Sequence, residues 1–258
     1  MSGWTVNHYL VREYINIVKK SLESQVVFNT FRNNNSYIPI VSEAMPGYEI
    51  DIYYGELLKR PKILSKLNII KQMDNIGGPV INDKILTSTR NIRYMYNTAR
   101  IKENFGDIKT VAEIGVGFGG LCFTMGQYFN LQGYKLLDID CVIQLARLFL
   151  SKLPPIYKDI DEPSDYIEEE QFFNPKPPYD LCVSECALTE LDDESIQQYY
   201  DNYLIKSKHL FIRTNFPPNQ KYRLNKLINT IKVDFEVKMI KDFPHEDEPE
   251  SLILGWKK

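Results

Sequence analysis

The sequence predicts an α/β protein: a Rossmann-like sheet of seven strands behind an N-terminal, mostly helical cap. Three observations predict it. Beyond residue 105, short apolar runs alternate with segments of helical spacing, the pattern of a parallel sheet covered on both faces. The first of these runs ends in a glycine-rich turn, Gly115-Val-Gly117-Phe-Gly119-Gly120. The last two runs have no helix between them, which predicts an antiparallel pair closing the sheet.

The cap is expected to occupy residues 1–105 and the sheet domain residues 106–258. Over residues 5–31, Val6, Tyr9, Leu10, Tyr14, Ile17, Val18 and Leu22 recur at helical spacing. The run Asn33-Asn34-Asn35-Ser36 ends that helix, and Pro39, Pro46 and Gly47 predict turns over 37–55. A second helix is expected over Leu57–Met73, then a loop at Gly77-Gly78-Pro79. Thr87-Ser88-Thr89 can cap a third helix reaching Phe105. The expected strands of the second part are Lys109–Ile114, Tyr134–Ile139, Pro154–Ile160, Tyr179–Ser184, His209–Thr214, Phe235–Ile240 and Ser251–Trp256. Helices are expected over Gly120–Asn130, Cys141–Leu150, Asp192–Leu204 and Lys221–Ile231.

Composition bounds the function. With 258 residues and 43% hydrophobic residues the chain can bury a sizeable core. No apolar run approaches the ~18–20 residues of a membrane-spanning helix. The N-terminus shows neither the basic nor the apolar region of a signal peptide. Cys122, Cys141, Cys182 and Cys186 have no C-x-x-C spacing and read as isolated thiols of a reducing compartment, so a cytoplasmic protein is expected. Residues 1–105 carry 14 basic and 9 acidic side chains, against 17 and 25 in residues 106–258. A mildly basic front half suits an anionic small molecule, and no dense basic stripe points to nucleic acid.

The glycine turn carries the chemistry. Gly115-x-Gly117-x-x-Gly120 satisfies a dinucleotide fingerprint, yet Glu113 precedes it and gives E-x-G-x-G-x-G. An acid there repels a pyrophosphate and suits the amino-acid end of S-adenosylmethionine. Gly115, Gly117 and Gly119 are expected to let the backbone approach the cofactor. Asp138, 23 residues beyond Gly115, ends the second strand, where a carboxylate accepts from ribose hydroxyls. Asp140 is the alternative, and Ser184 at the end of the fourth strand is a further candidate contact.

The segments Ala112-Glu-Ile-Gly-Val-Gly-Phe-Gly-Gly-Leu121, Tyr134–Asp138, Tyr179–Ser184 and Ala187–Leu191 together resemble the sugar O-methyltransferase family, within the class I S-adenosylmethionine-dependent methyltransferases. The resemblance implies a seven-stranded methyltransferase sheet, S-adenosylmethionine as cofactor and a sugar hydroxyl as acceptor, free, nucleotide-linked or glycan-attached. The chain departs from the family pattern at Thr189, where the family has serine.

A sugar hydroxyl is a weak nucleophile at neutral pH, so a base or a metal is expected at the carboxyl edge of the sheet. Glu185 and Glu190 after the fourth strand, and His245 in the loop between the last two strands, are the candidate bases. Glu185, Glu190 and Asp192 are the carboxylates a divalent metal would use, but no tight ligand spacing supports one. Arg90, Arg93 and Tyr94 on the third helix are candidate acceptor contacts. Expected partners are a small-molecule or nucleotide-linked sugar and, in a homo-oligomer, copies of the chain itself. Three alternatives stay open: a methyltransferase for another oxygen or nitrogen acceptor, a non-catalytic adenosyl-binding module, and a nicotinamide dehydrogenase.

Overall fold

The computed structural model describes residues 8–41, 43, 47–156, 168–215, 221–241 and 251–258. A two-stranded hairpin comes first, β1 (Ile81–Asn82) and β2 (Thr87–Ser88). The main sheet follows: β3 (Thr110–Ile114), β4 (Gly133–Leu137), β5 (Tyr179–Glu185), β6 (Ser207–Thr214), β7 (Phe235–Lys241) and β8 (Ser251–Lys257). Its order is β4-β3-β5-β6-β8-β7. The first four are parallel, and β8 runs antiparallel to both β6 and β7. The antiparallel pair is therefore present as the sequence predicts, with β8 inserted beside β6.

The sheet has six strands among the described residues, not the expected seven. The missing one was expected over 154–160. Residues 154–156 are not extended in a strand, and 157–160 lie outside the described residues.

The central strands are near-continuous apolar runs because both their faces are covered. Alternation sorts their side chains. Ala112 and Ile114 of β3 join Cys182, Leu210 and Ile212 under Leu204, Leu224, Leu227 and Ile231. Val111, Leu181 and Val183 face the opposite way, into a core with Phe118, Phe123, Phe149 and the N-terminal residues Tyr14, Val18, Phe31 and Tyr37. The N-terminal helices thus share one apolar core with the sheet.

Within the cap, the first helix runs His8–Glu23 and a short one follows at Gln25–Phe28. A helix spans Gly47–Leu58, where turns were expected. Gly47 opens that helix rather than breaking it, since the first residue needs no intrahelical N–H bond. The expected helix Leu57–Met73 is instead three short pieces, Pro61–Leu64, Leu67–Ile70 and a 3₁₀ turn at Lys71–Asn75. Pro61 stops the preceding helix and starts the next.

The long helix Thr89–Phe105 is capped by Ser88, whose hydroxyl accepts from the Asn91 N–H at 3.3 Å. All of Thr89–Ile101 is buried, polar residues included. A buried ion pair holds this helix in place. Arg32 and Glu43 are both fully buried and bonded to each other. Arg32 also donates to the Met73 carbonyl at 2.7 Å and to Ser88 Oγ at 3.1 Å, and lies 4.4 Å over the Phe118 ring. Asp74 completes the junction, accepting from Thr87 Oγ1 at 2.6 Å and Asn91 Nδ2 at 2.8 Å. No helix among the described residues is long and apolar enough to cross a membrane.

Candidate functional site

The chain leaves β3 to one side for β4 and to the other for β5, so the carboxyl ends of β3 and β5 flank a topological switch point. A cleft opens there. Gly115, Val116 and Gly117 after β3, Asp138 after β4, Glu185 to Ala187 and Glu190 after β5, and Asn215 after β6 line it. Tyr14, Pro39, Ile40 and Val41 close it from the cap, and Arg90, Arg93 and Tyr94 form a further wall.

The glycines divide into two pairs. Gly115 (φ 82) and Gly117 (φ 54) line the cleft in the left-handed region that favours glycine. A Cβ at Gly115 would lie 2.1 Å from the Ala187 Cβ, so this glycine lets the turns after β3 and β5 meet. At Gly117 the corresponding space is open, with Val41 Cγ1 the nearest atom at 3.9 Å. Gly119 (φ 87) shares that left-handed conformation but abuts Leu150 and Ala146, and Gly120 abuts Tyr94 and Phe118, so these two face neighbouring side chains.

Asp138 faces the cleft, and its carboxylate accepts from the Ile139 N–H at 2.8 Å and the Gly117 N–H at 3.4 Å. Burial raises its pKa to about 6, against the lowering effect of those backbone bonds. Asp140 is exposed, opens the helix Asp140–Leu150 and does not line the cleft.

Two other expected cofactor contacts are occupied inside the protein. Glu113 shares the Val111 face of β3, is buried, and accepts from the Tyr134 hydroxyl at 2.7 Å. Burial pushes its pKa well above 4.5 despite that bond. It is not among the residues lining the cleft. Ser184 is fully buried, and its hydroxyl accepts from the Leu188 N–H at 3.0 Å, which caps the 3₁₀ turn Ala187–Glu190.

Glu185 and Glu190 have different environments. Glu185 is buried beside Arg90 Nη2 at 2.9 Å and Arg93 Nε at 3.6 Å, and it accepts from Asn97 Nδ2. Burial pushes its pKa up, and the guanidiniums of Arg90, Arg93 and Arg213 more than offset that, so it is held below 4.5. Such a carboxylate is a poor proton acceptor and a strong anchor for arginines. Glu190, also in the cleft lining, accepts from Asn215 Nδ2 at 3.2 Å. Asn215 is oriented by Thr189, whose hydroxyl donates to Asn215 Oδ1. Burial raises the Glu190 pKa to about 7; the Asn215 bond lowers it and the charge of Asp138 raises it further.

The helix Thr89–Phe105 builds the basic wall by its own period. Arg90, Arg93, Tyr94 and Asn97 stand at i, i+3, i+4 and i+7 and so share one face. Arg90 also lies 4.7 Å over the Tyr94 ring. Asn97 and Asn215 were not anticipated from sequence. The helical spacing from Arg90 could have found Asn97, whereas Asn215 carries no local signal. Cys186 takes φ 69, rare for a residue with a side chain, where the chain reverses after β5 to meet Gly115.

The cleft therefore brings together Gly115, Gly117, Asp138, Glu185, Glu190, Arg90, Arg93 and Tyr94 of the expected site residues. Glu113, Gly119, Asp140 and Ser184 are not in its lining, and His245 lies outside the described residues. Asp192, a candidate metal ligand, caps the helix Asp193–Tyr199 by accepting from the Ser195 N–H at 2.8 Å. No group of three or more His, Cys, Asp or Glu side chains is arranged to hold a metal ion among the described residues.

No protein-family model matches the chain, and no curated protein matches it in sequence. Parts of the chain match solved structures at low identity. One is a Thermoplasma acidophilum protein, 14% identical over 65% of this chain and 89% of its own, with a TM-score of 0.44. Another is the methyltransferase domain of a bacterial CtHen1, 13% identical over 64% of this chain and 97% of its own, with a TM-score of 0.46. A third is the mitomycin 7-O-methyltransferase MmcR, 14% identical over 66% of this chain, with a TM-score of 0.42; this chain spans 57% of its length.

Proposed function

We propose that the chain is an S-adenosylmethionine-dependent O-methyltransferase that acts on a hydroxyl of a sugar, free, nucleotide-linked or glycan-attached. The observation that carries this reading is one cleft whose lining combines Gly115, Gly117 and Asp138 with Glu190, which has a pKa of about 7.

The residues present fit the cofactor. Gly117 leaves open the space a side chain would fill, so the backbone can approach a ligand closely. Asp138 is a half-buried carboxylate at a strand end, suited to accept from two ribose hydroxyls. When bound, the cofactor supplies an electrophilic methyl group on a sulfonium.

The protein's own part is alignment and proton transfer. Glu190 must be ionised to take the acceptor hydroxyl proton, and a pKa near neutrality makes it both available and basic enough. Asn215 holds that carboxylate in place. Glu185 is a positioning residue for Arg90 and Arg93 rather than the base. The sugar as acceptor rests on the segment resemblance at Tyr179–Leu191.

Incubation with methyl-labelled S-adenosylmethionine and a broad sugar panel, read by product mass, tests the reading. A mass gain of one methyl on a sugar oxygen is expected. Cofactor binding with no sugar methylated by the intact chain would turn the reading toward another acceptor or a binding module.

A further inference from the structure

Among the described residues, the wall made by Arg90 and Arg93 carries more positive charge than the one carboxylate paired with both balances. Both arginines are nine-tenths buried, at 8% and 7% exposure, and both line the cleft. Among the described residues, the ionised carboxylate they share is the single one of Glu185, and Arg213 acts on that same carboxylate. Among the same residues, the Nε–H groups of Arg90 and Arg93 have no hydrogen-bond acceptor. The Arg93 Nη2 meets a soft partner, Cys186 Sγ at 3.9 Å.

Burying cations without full charge compensation is costly, and the cost falls when a ligand brings the missing charge. Guanidinium groups are planar forks that match the oxygens of a phosphate or carboxylate. Here they are also pre-set: Glu185 and the Tyr94 ring fix Arg90, and one helix face fixes the spacing of both. A neutral sugar offers hydroxyls but no charge to such a wall.

We propose that this wall binds an oxyanion of the acceptor, so that the preferred substrate is an acidic sugar carrying a phosphate or a carboxylate group. The proposal rests on the methyl-transfer reading of the same cleft. The oxyanion docks on Arg90 and Arg93, and the docked sugar presents a neutral hydroxyl toward Glu190 in the same cleft. The competing source of the same chemistry is the carboxylate of the methyl donor itself.

Isothermal titration of the intact chain separates these. The probes are glucose 6-phosphate, glucuronate and glucose, each added with and without saturating S-adenosylhomocysteine. At least one acidic probe is expected to bind about 10-fold or more tighter than glucose. Arg93→Gln is expected to weaken acidic-probe binding by about 10–100-fold while S-adenosylhomocysteine affinity stays within about 3-fold. Arg93→Lys, which keeps the charge but loses the fork, is expected to fall between and carries the test if Arg93→Gln does not fold. Acidic probes that bind no better than glucose would overturn the proposal. An equal loss of S-adenosylhomocysteine affinity in Arg93→Gln would also overturn it and assign the wall to the donor. Failure of S-adenosylhomocysteine to bind the wild type would sink the cofactor reading, while acidic-probe binding to the cofactor-free chain still reports on the wall.

Discussion

Glu190→Gln is expected to slow methyl transfer by about 10²–10⁴-fold with donor affinity little changed. The substitution keeps the size of the side chain and an oxygen able to accept from Asn215 Nδ2, so the cleft keeps its shape. What it removes is the group that takes the proton. In the wild type, transfer should rise with pH through about 7, as Glu190 ionises, and then level off. The variant should lose that rise. Stability moves the opposite way. The folded pKa of Glu190 is raised above its ordinary 4.5, so its contribution to stability is complete below that value and is lost as pH rises through about 7. Above neutrality the variant escapes that loss, so its Tm at pH 8 should match or exceed the wild type. A rate unaffected by Glu190→Gln would remove this residue from the mechanism. A lower rate accompanied by a lower Tm at pH 8 would make its role structural.

Glu43→Ala is expected to destabilise the fold by about 3–5 kcal/mol, the range for removing one partner of a buried ion pair. Arg32 is fully buried and its guanidinium would keep Met73 and Ser88 as acceptors but lose its only anionic hydrogen-bond partner among the described residues. Glu43→Gln should cost less, because an amide oxygen can still accept from Arg32. The effect should reach the cleft. Arg32 lies over Phe118, inside the glycine turn, and Ser88 caps the helix that carries Arg90 and Arg93. Urea unfolding of the two variants measures the difference, and a loss under about 1 kcal/mol for Glu43→Ala would mean that the junction tolerates an unpaired arginine.

The sheet domain was legible in the sequence because its strands are short apolar runs separated by helical periods. All six of its strands begin within two residues of the expected positions, and Asp138 was placed at its strand end from the run Tyr134–Leu137 alone. The cap was less legible. Its signals are local breakers, and Gly47 and Pro61 act at helix starts as readily as at ends. The glycine turn was read as a close approach to a ligand, and two of its four glycines face neighbouring side chains rather than the cleft. Sequence cannot separate those cases, since either requires the absence of a Cβ.

The site residues show the same limit. Glu185 and Glu190 stand five positions apart and look alike as acids. The distant Arg90, Arg93 and Arg213 make one a fixed anion, and burial makes the other titrate near neutrality. Ser184 and Glu113 also found partners that sequence does not announce, Leu188 in the next turn and Tyr134 on the neighbouring strand. The face formed by Arg90, Arg93, Tyr94 and Asn97 was within reach, because a 3.6-residue period aligns them.

Isothermal titration with S-adenosylhomocysteine, on the wild type and on Asp138→Ala, tests the central claim most directly. The account predicts saturable one-to-one binding to the wild type and a loss of about 10-fold or more in Asp138→Ala, because hydrogen bonds to a charged acceptor are removed. No binding at millimolar ligand, or binding that Asp138→Ala leaves unchanged, would contradict it.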